Sequence, residues 1–266
     1  MRIADIEQLL DVALTAARAA AAAILEIYTS DDFGVAQKSD HTPVTLADAR
    51  AEAVILRHLE EATPSIPVIS EERAERDGLP ATDFERFWLV DPLDGTKEFI
   101  SRNGEFTVNI ALIENRRPVL GVVGVPVSGL LYAGAGPGSA RRIDAEGRIT
   151  PITCRQVPED GAIVAYSRSH GDTASLEASA GTWAGLHRIK GWAAAGSALK
   201  FCLIAEGSAD FYPRLGRTME WDTAAGHAVV EAAQGEVVCL DGNPLDYGKP
   251  RGANPHFVAR AQKTAS

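Results

Sequence analysis

The chain is poor in cysteine, methionine and aromatic side chains: its 266 residues hold three Cys, two Met and 6% Phe, Trp and Tyr. Cys154, Cys202 and Cys239 are odd in number and far apart with no C-x-x-C spacing. That excludes a disulfide framework and a cysteine-built zinc site, and fits a reducing compartment. Histidine is equally sparse. His41, His58, His170, His187, His227 and His256 form no H-x-x-H or H-E-x-x-H pair, the spacing a zinc enzyme would use. No apolar run approaches the roughly eighteen residues that a spanning helix requires. The alanine-rich opening, Ala16 to Ile24, is broken by Arg18 and preceded by Asp5, Glu7 and Asp11, which argues against a spanning helix and a signal peptide.

Positive charge is short as well. Lys and Arg number 26 against 36 Asp and Glu, a net charge of −10 and a pI near 5.1. A nucleic-acid partner is therefore excluded, since the phosphate backbone is bound by basic surfaces. The 45% hydrophobic and 23% charged fractions are those of an ordinary globular chain, long enough for one large domain or two intimately packed lobes. Net charge describes only the far field, which salt screens within roughly 8 to 10 Å. What matters chemically is where the acids sit.

Ile3, Ile6, Leu9, Leu10, Val12, Ala16, Ala20, Ile24 and Ile27 recur at helical spacing and predict one long amphipathic helix with a small-residue face. A loop-like segment, Lys38 to Asp48, leads into a second helix, Ala47 to Glu61. Ile66 to Ser70 and Phe87 to Asp91 are short apolar runs that each end in acid, the pattern of buried strands delivering carboxylates at their carboxyl ends. From Thr107 to Ala133 three β-rich runs separated by turn signals read as a meander. A Gly-, Pro- and charge-rich stretch follows, Gly134 to Gly161. Strand and helix patterns then alternate: strands at 162–167, 187–190, 209–214 and 236–240, helices at 172–180, 198–206 and 223–234. The pattern predicts an α/β (α+β) chain with two sheets. An N-terminal lobe, 1–155, and a C-terminal lobe, 156–266, would act as one functional unit.

The densest chemistry is Asp91-Pro-Leu-Asp94-Gly-Thr96. Asp-Pro and Asp-Gly are turn dipeptides, so this string alone is equally a structural turn. Glu71 and Glu72 alone would read as a solvated loop, and Asp222, before Thr223-Ala-Ala-Gly, as a helix N-cap. Together, three apolar junctions ending in acids, with no histidine cluster, are the ligand chemistry of Mg²⁺ rather than zinc. Oxygen-only sites of this kind hold pairs of hard cations and act on phosphoryl groups. Formally Glu71, Asp91, Asp94 and Asp222 carry about four negative charges against about four positive ones on two Mg²⁺, so the loaded site accepts a phosphate dianion that the bare site repels.

Asp91-Pro-Leu-Asp-Gly-Thr96 with Trp221-Asp-Thr-Ala-Ala-Gly226 resembles the paired pattern of the inositol monophosphatase-like, lithium-sensitive phosphomonoesterases. Thr42-Pro-Val-Thr-Leu-Ala-Asp48, Ser70-Glu-Glu72 and a closing Glu231-Ala-Ala-Gln-Gly235 extend the resemblance over nearly the whole chain. Gln234 stands where the family more often has glycine, which implies a local change of helix termination with Gly235 as C′. The resemblance implies a layered αβαβα sandwich with two mixed sheets, and two or three Mg²⁺. One cation would be held by Glu71, Asp91 and the carbonyl of Leu93, another by Asp91, Asp94 and Asp222. It also implies that Thr96, oriented by Asp48 and helped by Glu71, positions a metal-activated water, with no phosphoenzyme.

The flanking residues choose a branch. Lys97-Glu-Phe99, the Asn103-Gly-Glu-Phe-Thr-Val-Asn-Ile block, Ser167-Arg-Ser-His170, Gly196-Ser-Ala-Leu-Lys-Phe201 and Tyr212-Pro-Arg214 resemble the CysQ-type 3′(2′),5′-bisphosphate nucleotidases. Where inositol monophosphatases typically carry an acid for sugar hydroxyls, Arg214 is cationic. Ser197 and Lys200, three apart at a predicted helix start, share a face. With Arg214 and His170 they would hold a second phosphate away from the cations, and Glu71, Leu93, Asp94, Gly95, Thr96 and Asp222 would line the reacting end. A lone Lys or Arg is more often a solvated side chain; the coincidence of several lifts these.

The resulting expectation is removal of the 3′-phosphate from adenosine 3′,5′-bisphosphate, and from 3′-phosphoadenosine 5′-phosphosulfate, by a cytoplasmic monomer or homodimer. The alternatives are an inositol or sugar monophosphatase of the same architecture and a non-catalytic nucleotide- or metal-sensing regulator. Members of this kind can sit peripherally on the inner membrane, although the acidic balance supplies no polybasic anchor.

Overall fold

The computed structural model describes residues 3–30, 33–34, 36–37, 43–80, 84–168, 173–185 and 188–261. Helix α1 (Ile3–Tyr28) presents Leu10, Ala13, Ala17, Ala20 and Ile24, all fully buried. Its alanine face lets it lie close along α2 (Leu46–Ala62), which buries Ala47, Ala51, Ile55 and Leu59 on the same spacing. Between them lie the two-residue antiparallel strands β1 (Ala36–Gln37) and β2 (Pro43–Val44).

Both helices cover one face of a seven-stranded sheet. In spatial order its strands are β3 (Val68–Ser70), β4 (Arg86–Asp94), β5 (Thr107–Glu114), β6 (Arg117–Val125), β7 (Leu130–Gly134), β8 (Arg141–Ile143) and β9 (Ile149–Pro151). The β3/β4 pair is parallel and the rest antiparallel. Short helices α3 (Glu71–Asp77) and α4 (Thr96–Ile100) follow β3 and β4 directly. Sides alternate along each strand. Trp88, Val90, Ile110 and Leu112 face α1 and α2, while Phe87, Leu89, Ala111 and Ile113 face a middle helical layer. Each such fully buried aliphatic or aromatic side chain contributes roughly 1.5 to 3 kcal/mol.

The remaining elements are β10 (Ala162–Ser167), α5 (Thr173–Ala178), α6 (Ala180–Trp183), β11 (Ile189–Ala195), α7 (Leu199–Ala205), β12 (Phe211–Arg214), α8 (Ala224–Ala232), β13 (Glu236–Cys239) and β14 (Phe257–Arg260). A second mixed sheet runs β11-β10-β12-β14-β13, parallel on its first three strands and antiparallel thereafter. Helices α7 and α8 lie between the sheets, where Phe201, Ala225 and Val229 meet Phe87 on one side and Tyr212, Phe257 and Ala259 on the other. Leu176 and Trp183 of α5 and α6 cap the outer face against Val164, Phe211 and Val258. The layers are thus α/β/α/β/α, as the resemblance implied.

Four local expectations change. The Asp91–Asp94 turn is instead the end of β4, which continues to Asp94 with an irregularity between Asp91 and Asp94. The Gly134–Gly161 stretch contains β8 and β9, a hairpin that extends the first sheet. Phe257–Arg260, not read as a strand, lies between β12 and β13. Ser197 is not helical: α7 begins at Leu199, and Ser197 sits in the preceding turn with φ +47°.

Candidate active site

Each acid is delivered by a junction. Glu71 opens α3 at the carboxyl end of β3, and its corner is braced from α2: buried Glu52 accepts from the Ser70 hydroxyl and, at 2.8 Å, from the Arg73 N–H. Asp91 and Asp94 are fixed by β4 pairing with β5, where they stand opposite Asn109 and Thr107. Pro92 and Leu93 fall in the irregularity with no partner in that register. The Leu93 N–H donates back to Asp91 Oδ1 at 3.0 Å, which fixes the carboxylate rotamer.

Asp222 immediately precedes α8, whose N-cap is Thr223 rather than Asp222. Its Oδ2 accepts from the Met219 N–H at 2.9 Å. The chain end pins this segment: Glu220 accepts from the N–H groups of Gly248 and Lys249, both at 2.9 Å, and Asn254 Nδ2 donates to the Met219 carbonyl at 2.7 Å.

One carboxylate oxygen each from Glu71, Asp91 and Asp222 lie within 4.8 Å of one another. At that spacing each ionised pair repels by about 3 to 4 kcal/mol for an effective dielectric near 20, so protons or cations must balance the cluster. Burial, with Asp94 and Glu71 alongside, raises Asp222 well above the ordinary carboxylate range. Asp94 stands outside the trio; its Oδ2 accepts from Asn109 Nδ2 at 3.4 Å, and burial raises it too, against the opposing pull of Lys200. An all-oxygen, partly buried, mutually repelling donor set fits a hard divalent cation.

Thr96 is the first residue of α4, behind Gly95 at φ +94°. Its hydroxyl donates to Asp48 Oδ1 at 3.4 Å. The other Asp48 oxygen closes the capping box of α2, accepting from the Thr45 N–H and hydroxyl, both at 2.7 Å. Asp48 therefore belongs to a helix cap and to the Thr96 contact at once.

The acids open into a cleft of about 900 Å³ that is also lined by Leu93, Gly95, Thr96, Ser197, Lys200 and Arg214. Lys200 is buried; its Nζ donates to the carbonyls of Ala195 and Ser197 at 3.2 and 2.6 Å and lies over the Tyr212 ring. Burial pushes its ammonium down to about 8, against the pull of Asp94. The Ser197 hydroxyl donates to the Asp94 carbonyl at 2.7 Å. Ser197 and Lys200 thus face the cleft from a turn and from the helix after it rather than sharing one helical face. Arg214 Nη2 donates to the Arg217 carbonyl at 3.2 Å, and its buried Nε has no hydrogen-bond partner among the described residues. His170 lies outside the described residues. Leu79, Leu176, Leu215 and Met219 also line the cleft. They come from three separate segments, after α3, in α5 and between β12 and α8, and only the fold assembles them.

Residues 5–265 match the inositol monophosphatase family, and the chain belongs to that family. It is 44% identical to the 3′(2′),5′-bisphosphate nucleotidase CysQ of Escherichia coli (strain K12), over 94% of this chain and 98% of that protein. With the enzyme of the same name from Salmonella typhimurium (strain LT2) it shares 46% identity, over 91% of this chain and 95% of the other. The crystal structure of CysQ from Bacteroides thetaiotaomicron, a bacterial member of the family, superposes with a TM-score of 0.79 at 37% identity, covering 97% of this chain and 98% of that one.

Proposed function

We propose that the protein is a Mg²⁺-dependent phosphomonoesterase that hydrolyses the 3′-phosphate of adenosine 3′,5′-bisphosphate to AMP and phosphate, and accepts 3′-phosphoadenosine 5′-phosphosulfate in the same way. Lys200 and Arg214 carry this reading, because two cationic side chains line the same cleft as the clustered carboxylates. A ligand with one phosphate at the acids and a second at the cations matches that arrangement; an inositol monophosphate leaves the second position unmatched. A cleft of about 900 Å³ accommodates a nucleotide. The relatives named for bisphosphate nucleotidase activity support the same substrate.

Glu71, Asp91 and the Leu93 carbonyl would hold one Mg²⁺ and Asp91, Asp94 and Asp222 another, two or three ions in all. When bound, the cations neutralise the carboxylates, acidify water and offset charge at phosphorus and on the leaving oxygen. The Thr96 hydroxyl, oriented by Asp48, positions the attacking water, and Glu71 takes up its proton. The water oxygen bonds to phosphorus as the P–O3′ bond breaks, and the departing 3′-oxygen takes a proton from solvent to become the 3′-hydroxyl of AMP. Lys200, Arg214, Ser197 and His170 hold the distal phosphate, so binding energy remote from the reaction orients the ester. The enzyme would work as a monomer or homodimer in the cytoplasm; no helix among the described residues is long and apolar enough to cross a membrane.

Steady-state hydrolysis of adenosine 3′,5′-bisphosphate and inositol 1-phosphate by purified protein with Mg²⁺ tests the reading. We expect kcat/KM to favour the nucleotide by at least about a hundredfold, the discrimination that unpaired polar groups impose. A preference for the inositol ester overturns the substrate, and binding without turnover overturns the enzyme.

A further inference from the structure

Glu105, just ahead of β5, and Arg168, just after β10, come from opposite sheets. Arg168 Nε and Nη2 donate to the two Glu105 oxygens at 2.9 and 2.8 Å. The side chains are 49% and 26% exposed, and so exposed a pair adds at most about 1 kcal/mol to stability. Three further bonds run to the end of β11 and the turn that follows it. Glu105 Oε2 accepts from the Gly196 N–H at 2.8 Å, Arg168 Nη2 donates to the Ala194 carbonyl at 3.1 Å, and the Arg168 N–H donates to the Ala195 carbonyl at 3.3 Å. The approach is close enough to demand glycine: a Cβ on Gly196 would stand 2.4 Å from the Glu105 carbonyl oxygen.

That turn holds Lys200. Ala195 and Ser197 supply the two carbonyls that receive Nζ. Ser197 is held at φ +47°, a conformation that persists in a non-glycine residue only when its surroundings fix it. A lysine ammonium on its flexible stem has no preferred direction of its own. With two of its three N–H groups on those carbonyls, one remains for the cleft.

We propose that Glu105, clamped by Arg168, is a positioning residue that fixes the Ala195–Ser197 turn and thereby aims Lys200, setting the preference for a nucleotide with a second phosphate over a simple monophosphate ester. This rests on the reading of Lys200 as a second-phosphate ligand. Among the described residues neither Glu105 nor Arg168 bonds to the clustered carboxylates. The turn meets that end of the cleft through the Ser197 hydroxyl on the Asp94 backbone carbonyl, a bond made by Ser197 and not by the clamp, so hydrolysis of a monophosphate should depend on the clamp far less than that of the bisphosphate.

The test measures kcat and KM for adenosine 3′,5′-bisphosphate and adenosine 3′-monophosphate in Glu105→Ala, Arg168→Ala, Lys200→Ala and the Glu105→Ala/Lys200→Ala double variant, with thermal melting of each. Loss of the clamp should raise KM for the bisphosphate about tenfold, the worth of one charged hydrogen bond. Its kcat, and both constants for the monophosphate, should stay within about twofold. In the double variant the clamp substitution should add nothing to Lys200→Ala, a non-additivity that marks residues acting through one another. Glu105→Gln, which keeps an acceptor for Gly196, should raise KM less, and it replaces Glu105→Ala in the cycle if the alanine variant does not fold. If Lys200→Ala leaves the substrate preference unchanged, the second-phosphate reading falls and the clamp with it. If Lys200→Ala shifts the preference but the Glu105 variants do not, or if the two effects add, or if both substrates suffer alike, the clamp alone is overturned.

Discussion

At Asp94, burial raises the carboxyl, Lys200 pulls it down, and the Asn109 amide hydrogen-bonds its Oδ2. Its backbone is separately held, opposite Thr107 in the sheet and under the Ser197 hydroxyl. The side chain and the fold are therefore separable. Asp94→Asn keeps the shape and a hydrogen-bonding oxygen but removes the charge that would bind the cation. Turnover should fall at least about a thousandfold, the several kcal/mol of charge stabilisation that a metal supplies. The far-ultraviolet circular dichroism should match wild type, and the melting temperature of the metal-free protein should not drop, since a buried, repelled charge has gone. Retained activity would exclude Asp94 from the reaction, and a lost fold would make its role structural.

Among the elements, α8 ends in a way its sequence makes unusual. The N–H of Gln234 donates to the Glu231 carbonyl at 3.0 Å and that of Gly235 to the Val230 carbonyl at 2.8 Å, the two bonds of a Schellman motif. The left-handed residue is Gln234, at φ +67°, and not Gly235 as the sequence implied. Gly235 is needed for space: a Cβ there would lie 2.7 Å from Cys154 Sγ. Gln234→Gly removes the steric penalty of the left-handed conformation and should stabilise the protein by about 0.5 to 1 kcal/mol after the entropy of the freer unfolded chain is subtracted. A urea midpoint that rises at unchanged m-value would show it; an unchanged or lower midpoint would mean that the glutamine side chain compensates.

Which elements were legible follows from how local their causes are. The long helix α1 is written in unbroken periodicity and the strands β3 and β4 in short apolar runs, and Glu71 and Asp91 are each marked by the apolar run before them; Asp94 and Asp222 carry no such mark. Strand β14 is four residues whose place comes from pairing with β12 and β13, both earlier in the chain and neither adjacent to it. The hairpin β8–β9 is masked by glycine and charge. Glu52, Glu105 and Glu220 look like solvated acids in sequence, because the backbone N–H groups they bind, at Arg73, Gly196, Gly248 and Lys249, are brought to them by the fold.

For the whole molecule, a net charge of −10 opposes an anionic ligand at long range, and the cleft reverses that only when its acids are neutralised. Asp94 and Asp222 have folded-state values above those of the unfolded chain. Their contribution to stability is therefore present in full below the ordinary carboxylate range and is lost as pH rises through the raised values, because the unfolded chain ionises first. On the proposed reading protons and Mg²⁺ would compete for the same oxygens, so the cation would matter most where the protons have gone. Melting curves with Mg²⁺ or with chelator, across pH 5 to 8, should separate progressively as pH rises. In chelator, adenosine 3′,5′-bisphosphate should add no stability at pH 8; with Mg²⁺, a nucleotide at about a hundred times its Kd should add about 2.7 kcal/mol. Curves that stay parallel across the range, or nucleotide stabilisation that survives the chelator, would mean that the cations Lys200 and Arg214 alone hold the ligand and that the acids serve some other end.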